Sequence, residues 1–208
     1  MANRRGLLSL LTVPEDTAPA SVFSRLPTLE TPRLLLRPVT LKDAADIYHY
    51  SKDPLVAEHV LWDAHENIHQ TRAYIRYILR QYKNGEPSSF AIVEKASRKV
   101  IGTIGYMWVS QDNASGEVGY SLSRAHWNRG YMTEALKKVI AFGFEELHLN
   151  RIEAQHETTN PASGRVMEKA GMRPEGVLRA RVFNKGKFMD VSLYSILRNE
   201  WKTLRNSI

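Results

Sequence analysis

The segment Trp127-Asn128-Arg129-Gly130-Tyr131-Met132-Thr133 combines residue types that could bind an anion. A strand pattern precedes it and a helical pattern follows it, so it is predicted to join a strand to a helix. The first N–H groups of a helix lack partners within the helix and lie at the positive end of its dipole. Gly130 would let the backbone approach a phosphate, and Arg129 would add positive charge. The segment therefore predicts a phosphate site, unless Gly130 only permits a tight turn.

A second segment, His65-Glu66-Asn67-Ile68-His69, spells the H-E-x-x-H signature of zinc metallopeptidases. Such a site needs both histidines one turn apart on one helix, with a third ligand from elsewhere. Asn67 is typical of an N-cap, with Gln70 following in a box-like arrangement, so His65 is predicted to precede the helix. We interpret the match as chance, expect no metal, and keep a zinc peptidase only as a distant alternative.

The composition limits what these residues can do. The chain has 208 residues, 43% of them hydrophobic, which predicts one domain with a substantial core. A net charge of +7 indicates a negatively charged partner such as a phosphate, but the basic residues are scattered, and no dedicated nucleic-acid site is predicted. Zero cysteines exclude thiol nucleophiles and fit a reducing compartment. The apolar stretch after Arg4 and Arg5 resembles a signal peptide only faintly, since it is short and Pro14 ends it, and no other segment is long and apolar enough to span a membrane. We therefore expect a cytoplasmic protein.

Hydrophobic periodicity predicts an α/β protein with a mixed sheet. Residues 1–28 contain three prolines among small polar residues and are predicted to be a flexible extension, so the domain is expected to span 29–208. Strands are predicted over 33–37, 89–93, 100–106, 117–122 and 151–157, with two more flanking Asn184-Lys185-Gly186. Helices are predicted over 40–48, 67–83, 130–148 and 162–170.

Three segments together resemble the GNAT family of acetyltransferases. Residues 128–135, Asn-Arg-Gly-Tyr-Met-Thr-Glu-Ala, look like its coenzyme A turn, in particular like Gly-Lys-Gly-Tyr-Ala-Thr-Glu-Ala of the ribosomal-protein N-terminal (Rim-type) branch. Asn160-Pro161-Ala162-Ser163 with Glu168-Lys169-Ala170-Gly171-Met172 is similar to a later segment of that branch, and Glu30-Thr31-Pro32-Arg33-Leu34-Leu35-Leu36-Arg37 to its beginning. The resemblance implies a GNAT-like mixed, twisted sheet, flanked by helices, whose two central strands splay apart to admit the cofactor.

The resemblance also implies acetyl-coenzyme A as co-substrate. The cofactor would contact the turn, the end of the preceding strand and the start of the later helix: Leu122, Ser123, Asn128, Arg129, Gly130, Tyr131, Met132, Thr133, Asn160 and Ser163. A backbone N–H near Leu122 or Ser123 would stabilise the developing oxyanion. Asn160 would bind the pantetheine amides, unless it only caps its helix. Asn128 replaces a glycine of the branch, and Met132 is bulkier than its usual residue, which predicts a crowded lip of the phosphate site.

For catalysis, the resemblance points to Glu117 as general base, directly or through water, because many GNAT enzymes place a catalytic glutamate on this strand. The alternative is a solvent-facing strand glutamate. Many members use a tyrosine on the later helix as acid or to orient the sulfur. The aligned position holds Met167, so Ser163 would take that role, unless it is only a helix-start hydroxyl. Some relatives use a glutamate on the penultimate strand where this chain has Val182, which implies a different acceptor.

The predicted function is transfer of an acetyl group from acetyl-coenzyme A to a primary amine, by direct attack in a ternary complex. The acceptor is either a protein N-terminal α-amine, as on a ribosomal protein, or a small-molecule amine. The alternative from another class is a noncatalytic ribosome- or RNA-binding module on the same fold, motivated by the charge of +7 and by Val182. No membrane partner is expected, and a homodimer is compatible with the sequence.

Overall fold

A mixed β-sheet forms the frame of the protein. The computed structural model describes residues 19–206, and eight strands of this part of the chain form the sheet. The strands are β1 (Leu29–Glu30), β2 (Leu34–Pro38), β3 (Ser89–Glu94), β4 (Val100–Ser110), β5 (Ser115–Leu122), β6 (Arg151–Glu157), β7 (Arg173–Asn184) and β8 (Lys187–Leu197). The helices are α1 (Pro19–Ser24), α2 (Ala44–Ser51), α3 (Pro54–Ala57), α4 (Ile68–Asn84), α5 (Tyr131–Glu145), α6 (Pro161–Lys169) and α7 (Arg198–Asn206).

The sheet splays apart between β5 and β6. Its strand order is β1-β2-β3-β4-β5-β6-β8-β7, and β5 and β6 are its parallel neighbours while the other pairs are antiparallel. The parallel pairing covers only Ser115 to Glu117 of β5, opposite Arg151 to Glu153 of β6. Beyond Glu117, β5 continues to Leu122 and β6 to Glu157 without pairing to each other, which leaves a cleft between them. The splayed sheet implied by the resemblance is therefore confirmed.

Helices cover both faces of the sheet, as predicted. Successive side chains of a strand point to opposite faces, and β3 shows which core lies on which face. Phe90 and Ile92 belong to a core that contains residues of α5 and α6, whereas Ala91 and Val93 belong to a core with α2 and α4. The cleft between β5 and β6 therefore opens toward α5 and α6 on one face and toward α4 on the other.

Local signals set the helix ends near the site. The Asn67 side-chain oxygen accepts hydrogen bonds from the N–H groups of His69 (3.0 Å) and Gln70 (3.2 Å), so Asn67 caps α4 as predicted. Gly85 follows the last turn of α4 with a φ of 70°, a conformation that costs least for glycine. The predicted helices and strands are all present, although α1, the short β1 and α3, and the C-terminal α7 were not predicted.

Part of the predicted N-terminal extension belongs to the packed domain. Residues 1–18 lie outside the described residues, but residues 19–24 form α1. Phe23 is completely buried and contacts Tyr106 edge-on at 6.4 Å between ring centroids, and Leu26 is buried in the same core. The predicted boundary between 28 and 29 is therefore too late. Two apolar side chains among prolines and small residues give no periodic pattern, so the sequence did not reveal their burial.

Candidate active site

Residues 127–133, here called the phosphate turn, comprise the end of the connection from β5 to α5 and the start of α5. Asn128 (φ 60°) and Gly130 (φ 77°) both adopt left-handed conformations. Gly130 is the N-cap of α5 and has no side chain to accept from the N–H groups of Tyr131, Met132 and Thr133, so these are left for an external acceptor. An anion at this point would also meet the positive end of the helix dipole. Asparagine is among the few non-glycine residues that tolerate this conformation, which explains Asn128 at a glycine position.

The turn is held by residues from the start of the domain. The Arg33 guanidinium donates to the Arg129 carbonyl (2.9 Å) and to the Glu134 carboxylate (2.6 Å), and lies 4.3 Å from the centre of the Tyr131 ring. The Thr31 hydroxyl also donates to Glu134 (2.6 Å). Burial opposes ionisation of Glu134, but the hydrogen bonds from Thr31 and Arg33 outweigh it and lower its pKa. Glu134 thus stays ionised and fixes Arg33 beside the turn.

The backbone donor predicted near Leu122 or Ser123 can be assigned to one residue. The N–H of Ser123 donates to the Ile101 carbonyl (2.7 Å) on β4, so it faces away from the cleft, and its assignment as oxyanion donor is wrong. In an antiparallel strand, the backbone N–H and C=O groups of successive residues point alternately to the two neighbouring sides. Since those of Ser123 face β4, the N–H and C=O of Leu122 point toward the cleft. The Leu122 carbonyl accepts a hydrogen bond from the indole of Trp127 (2.8 Å), which ties the turn to the strand. The Leu122 N–H remains the candidate oxyanion donor.

Met132 does not crowd the phosphate turn. Its side chain is 6% exposed and packs in the core between α5 and the sheet. The predicted crowded lip is therefore wrong, because a residue in the first turn of a helix presents its backbone N–H and its side chain in different directions. Only the N–H of Met132 is available to a ligand.

Glu117 lies at the last paired position of β5, where the strands begin to separate. Its carboxylate accepts hydrogen bonds from the Trp108 indole (2.9 Å) of β4 and from the Gln155 amide (3.0 Å) of β6. Gln155 lies beyond the last pairing, so this contact spans the beginning of the cleft. Glu117 lines a cavity of about 260 Å³ on the α4 side and is partly buried. It faces the cleft, and its role as base stays a prediction.

Ser163 lies in the first turn of α6 beside Asn160. The Asn160 side-chain oxygen accepts from the Ser163 N–H (3.3 Å), so Asn160 caps α6, and its contact with pantetheine stays a prediction. The Ser163 hydroxyl lies 2.9 Å from the hydroxyl of Tyr120, which also donates to the Ser163 carbonyl (3.2 Å). Met167, aligned with the family's tyrosine, is 1% exposed and belongs to the core. The tyrosine hydroxyl near Ser163 thus comes from β5.

Part of the wall of the cavity on the α4 side is aromatic and apolar. It includes Trp62, Tyr74, Tyr77, Ile78, Val182 and Val191. Glu157, at the end of β6, supplies a second carboxylate, which binds His59 (2.9 Å) and the Asn184 amide (3.4 Å). Burial disfavours its charge, but these hydrogen bonds outweigh burial and lower the pKa of Glu157. Glu157 thereby ties the loop after α3 to the turn between β7 and β8.

Sequence reasoning missed Arg33, Tyr120 and Gln155. Arg33 lies in a segment that carried the resemblance, but no spacing links it to a turn so far along the chain. The face to which Tyr120 points could have been predicted, since strand alternation places its side chain and that of Glu117 on opposite faces of β5. Gln155 had none, because its contact with Glu117 depends on how two parallel strands are aligned.

The H-E-x-x-H segment is not arranged for zinc. His65 precedes α4, and its Nδ1 lies 2.7 Å from the Ser51 hydroxyl and 2.8 Å from the Thr71 hydroxyl, whereas His69 lies on the helix. Across residues 19–206, no group of three or more His, Cys, Asp or Glu side chains could hold a metal ion. In the same part of the chain, no helix is both long and apolar enough to cross a membrane.

Known proteins resemble this chain over most of its length. Residues 33–173 match the family model of the acetyltransferase (GNAT) domain. The uncharacterized N-acetyltransferase p20 of Bacillus licheniformis is 37% identical over 174 residues, which are 84% of this chain and 98% of the relative. The [ribosomal protein uS5]-alanine N-acetyltransferase of Escherichia coli is 26% identical over 178 residues, or 83% of this chain and 92% of the relative. A solved GNAT acetyltransferase from Bacillus anthracis has a TM-score of 0.74 at 25% identity, over 83% of this chain and 99% of that one.

The phosphate turn fits the co-substrate of this family. Acetyl-coenzyme A carries a diphosphate, and the turn offers uncapped N–H groups, a left-handed glycine and the guanidinium of Arg33. A methyl group added at Gly130 would meet only one atom, Arg33 Nη2 at 3.5 Å, so the space beside the turn is open. With the splayed strands and the family match, these features identify the chain as a member of the GNAT family, an N-acetyltransferase that uses acetyl-coenzyme A.

Proposed function

We propose that this enzyme transfers the acetyl group to a primary amine by direct attack, in a complex that holds both substrates at once. The observation that carries the proposal is the position of Glu117, whose carboxylate is anchored where β5 and β6 separate. The phosphate turn lies at the end of the same strand, and the cavity lined by Glu117 lies on the α4 face. A thioester and an amine that enter from opposite faces of the sheet would meet beside Glu117.

The chain's own groups would hold the co-substrate at several points. We assign its diphosphate to the first N–H groups of α5, with added charge from Arg129 and Arg33. The Asn160 oxygen is used by the helix cap, so its NH₂ group is the proposed donor to pantetheine. The Leu122 N–H is the proposed donor to the thioester carbonyl oxygen, where negative charge develops during attack.

The amine must lose a proton as the carbon–nitrogen bond forms. A lysine side chain titrates near ~10.4 and an α-amino group near ~7.7–8.0, so an α-amine needs less help near neutral pH. Each Glu117 oxygen accepts one hydrogen bond and keeps a second lone pair. Glu117 can therefore take the proton directly or through a water molecule. The leaving sulfur needs little help, since a thiol pKa lies near ~8.5, and the Ser163 hydroxyl is its proposed donor.

We propose as acceptor a small primary amine or the N-terminal α-amine of a protein. A cavity of about 260 Å³ suits one residue or a small molecule better than the side chain of a folded protein with its surroundings. The Escherichia coli relative is named for its action on an alanine of ribosomal protein uS5, which supports a ribosomal N-terminus as the first peptide to test. Val182 lies in the cavity wall at the position where some relatives have a glutamate. The absence of this carboxylate supports an acceptor different from that of those relatives. A cytoplasmic location and a homodimeric state stay predictions.

An acceptor screen with isotope-labelled acetyl-coenzyme A and mass spectrometry tests the proposal. Peptides with free α-amines and small primary amines are offered to the wild type, and one class is expected to gain the label. Glu117→Gln should slow that reaction by about 100-fold and change its pH–rate profile, with coenzyme A affinity nearly unchanged. Glu153→Gln is the matched control, because Glu153 is the strand partner of Glu117 but binds Arg151 instead.

Two results would contradict the proposal at different levels. If the wild type binds coenzyme A and labels neither the peptides nor the small amines, the proposed acceptor classes are wrong. If Glu117→Gln keeps the wild-type rate and pH–rate profile, Glu117 is not the base, and the reaction needs another proton acceptor.

A further inference from the structure

The hydroxyl of Tyr120 contacts Ser163, the residue proposed above as donor to the leaving sulfur. Tyr120 lies on β5 between Glu117 and Leu122, and strand alternation turns its side chain toward α6, away from the Glu117 face. Its hydroxyl oxygen lies 2.9 Å from the Ser163 hydroxyl oxygen and 3.2 Å from the Ser163 carbonyl oxygen, so its single proton can be donated to either. Tyr120 also lines the cavity that contains Glu117. One tyrosine therefore joins the wall of the cleft to the first turn of α6.

We propose that Tyr120 is a positioning residue that directs the Ser163 hydroxyl toward the sulfur of coenzyme A. This inference rests on the proposed function. Tyr120 can donate its proton only to the oxygen atoms of Ser163 among these contacts. When it donates to the Ser163 hydroxyl oxygen, the Ser163 proton is free for another acceptor, and the sulfur of bound coenzyme A is the acceptor that we infer. Met167, one turn further along α6, is buried and apolar, so it offers no replacement donor.

The environment of Tyr120 suits a permanent donor. Burial raises the pKa of Tyr120, against a smaller opposite effect of the hydrogen bond with Ser163. The hydroxyl therefore stays protonated across the neutral range and always has a proton to donate. In the reaction, the carbon–sulfur bond breaks and its electron pair goes to sulfur, while the Ser163 hydroxyl donates a hydrogen bond to it. No proton leaves Tyr120, and the thiolate later takes one from water.

The pKa of the thiol of bound coenzyme A tests this arrangement, and its measurement requires no turnover. Its ionisation is followed by the ultraviolet absorbance of the thiolate as pH rises, for coenzyme A alone and on the wild-type protein. One hydrogen bond to an ionised group should lower the thiol pKa by about one unit on the protein. Tyr120→Phe keeps the ring and should fold, yet most of the lowering should be lost. Ser163→Ala should lose it as well, and the double variant should lose no more.

Tyr194→Phe is the matched control. The Tyr194 hydroxyl also joins a strand to α6, but through Glu168 at 3.2 Å, so its removal should leave the thiol pKa unchanged. The inference is overturned if Tyr120→Phe keeps the full lowering, if Tyr194→Phe loses as much as Tyr120→Phe, or if the wild type binds coenzyme A without lowering the thiol pKa. A wild type that lowers this pKa but acetylates no amine refutes only the proposed function.

Discussion

Replacing Gly130 by alanine tests the phosphate turn most directly. The residue has a φ of 77°, a conformation that costs an alanine about 1–2 kcal/mol. The added methyl group would meet only Arg33 Nη2, at the ordinary contact distance of 3.5 Å, so no further loss of folding stability is expected. In the complex, however, the methyl group occupies space beside the N–H groups that would bind phosphate oxygens. Losing one such charged hydrogen bond costs about 1.5–3 kcal/mol, or roughly 10- to 100-fold in the dissociation constant of coenzyme A.

Gly186→Ala is a close control for this substitution. Gly186 lies in the turn between β7 and β8 with a φ of 79°, and no atom lies within 4 Å of its added methyl group. Both variants should therefore lose a similar free energy of unfolding, measured by chemical denaturation. Only Gly130→Ala should weaken coenzyme A binding, measured by calorimetry. Equal wild-type affinity in both variants would refute the assignment of the diphosphate to this turn.

Three further predictions concern the parts of the fold that support the site. Arg33→Ala should weaken coenzyme A binding by about tenfold, the value of one charged hydrogen bond, with kcat nearly unchanged; a drop in kcat alone would contradict the cofactor role. Phe23→Ala should lower the free energy of unfolding by about 3–5 kcal/mol, because the side chain is completely buried. A loss under about 1 kcal/mol would contradict the packing of α1 against the core. Hydrogen bonds from Arg151 and Ser195 lower the pKa of Glu175 from 4.5 to about 2. Its stabilisation is therefore present above pH 4.5 and lost as pH falls toward 2, so Glu175→Gln should flatten this part of the curve of urea midpoint against pH.

The elements that form the site could be predicted because their signals are local. Asn67 caps α4 and Gly85 ends it through contacts within a few residues of each. Gly130 begins α5 for the same kind of reason, since only the local backbone decides whether the first N–H groups of a helix have acceptors. The α/β class and the phosphate turn were thus accessible from hydrophobic periodicity and turn residues, and the family resemblance added the splayed sheet.

The direction of individual groups could not be read from local patterns. Leu122 and Ser123 are adjacent, yet only the pairing of β5 with β4 decides that Leu122 directs its N–H into the cleft. Met132 was expected at the lip of the phosphate turn, and the packing of α5 on the sheet buries it instead. Each outcome depends on a neighbour that the chain reaches only after folding.

The sequence by itself determined that a strand meets a helix at Gly130, because turn chemistry and helix capping act over a few residues. Only the tertiary structure decided what surrounds that turn. It brings Arg33 to the turn, Tyr120 to Ser163 and Gln155 to Glu117, and buries Phe23 in the core. These contacts join residues far apart in the chain, and they form because burying the apolar faces of the sheet sets the strand order and the register of the strands.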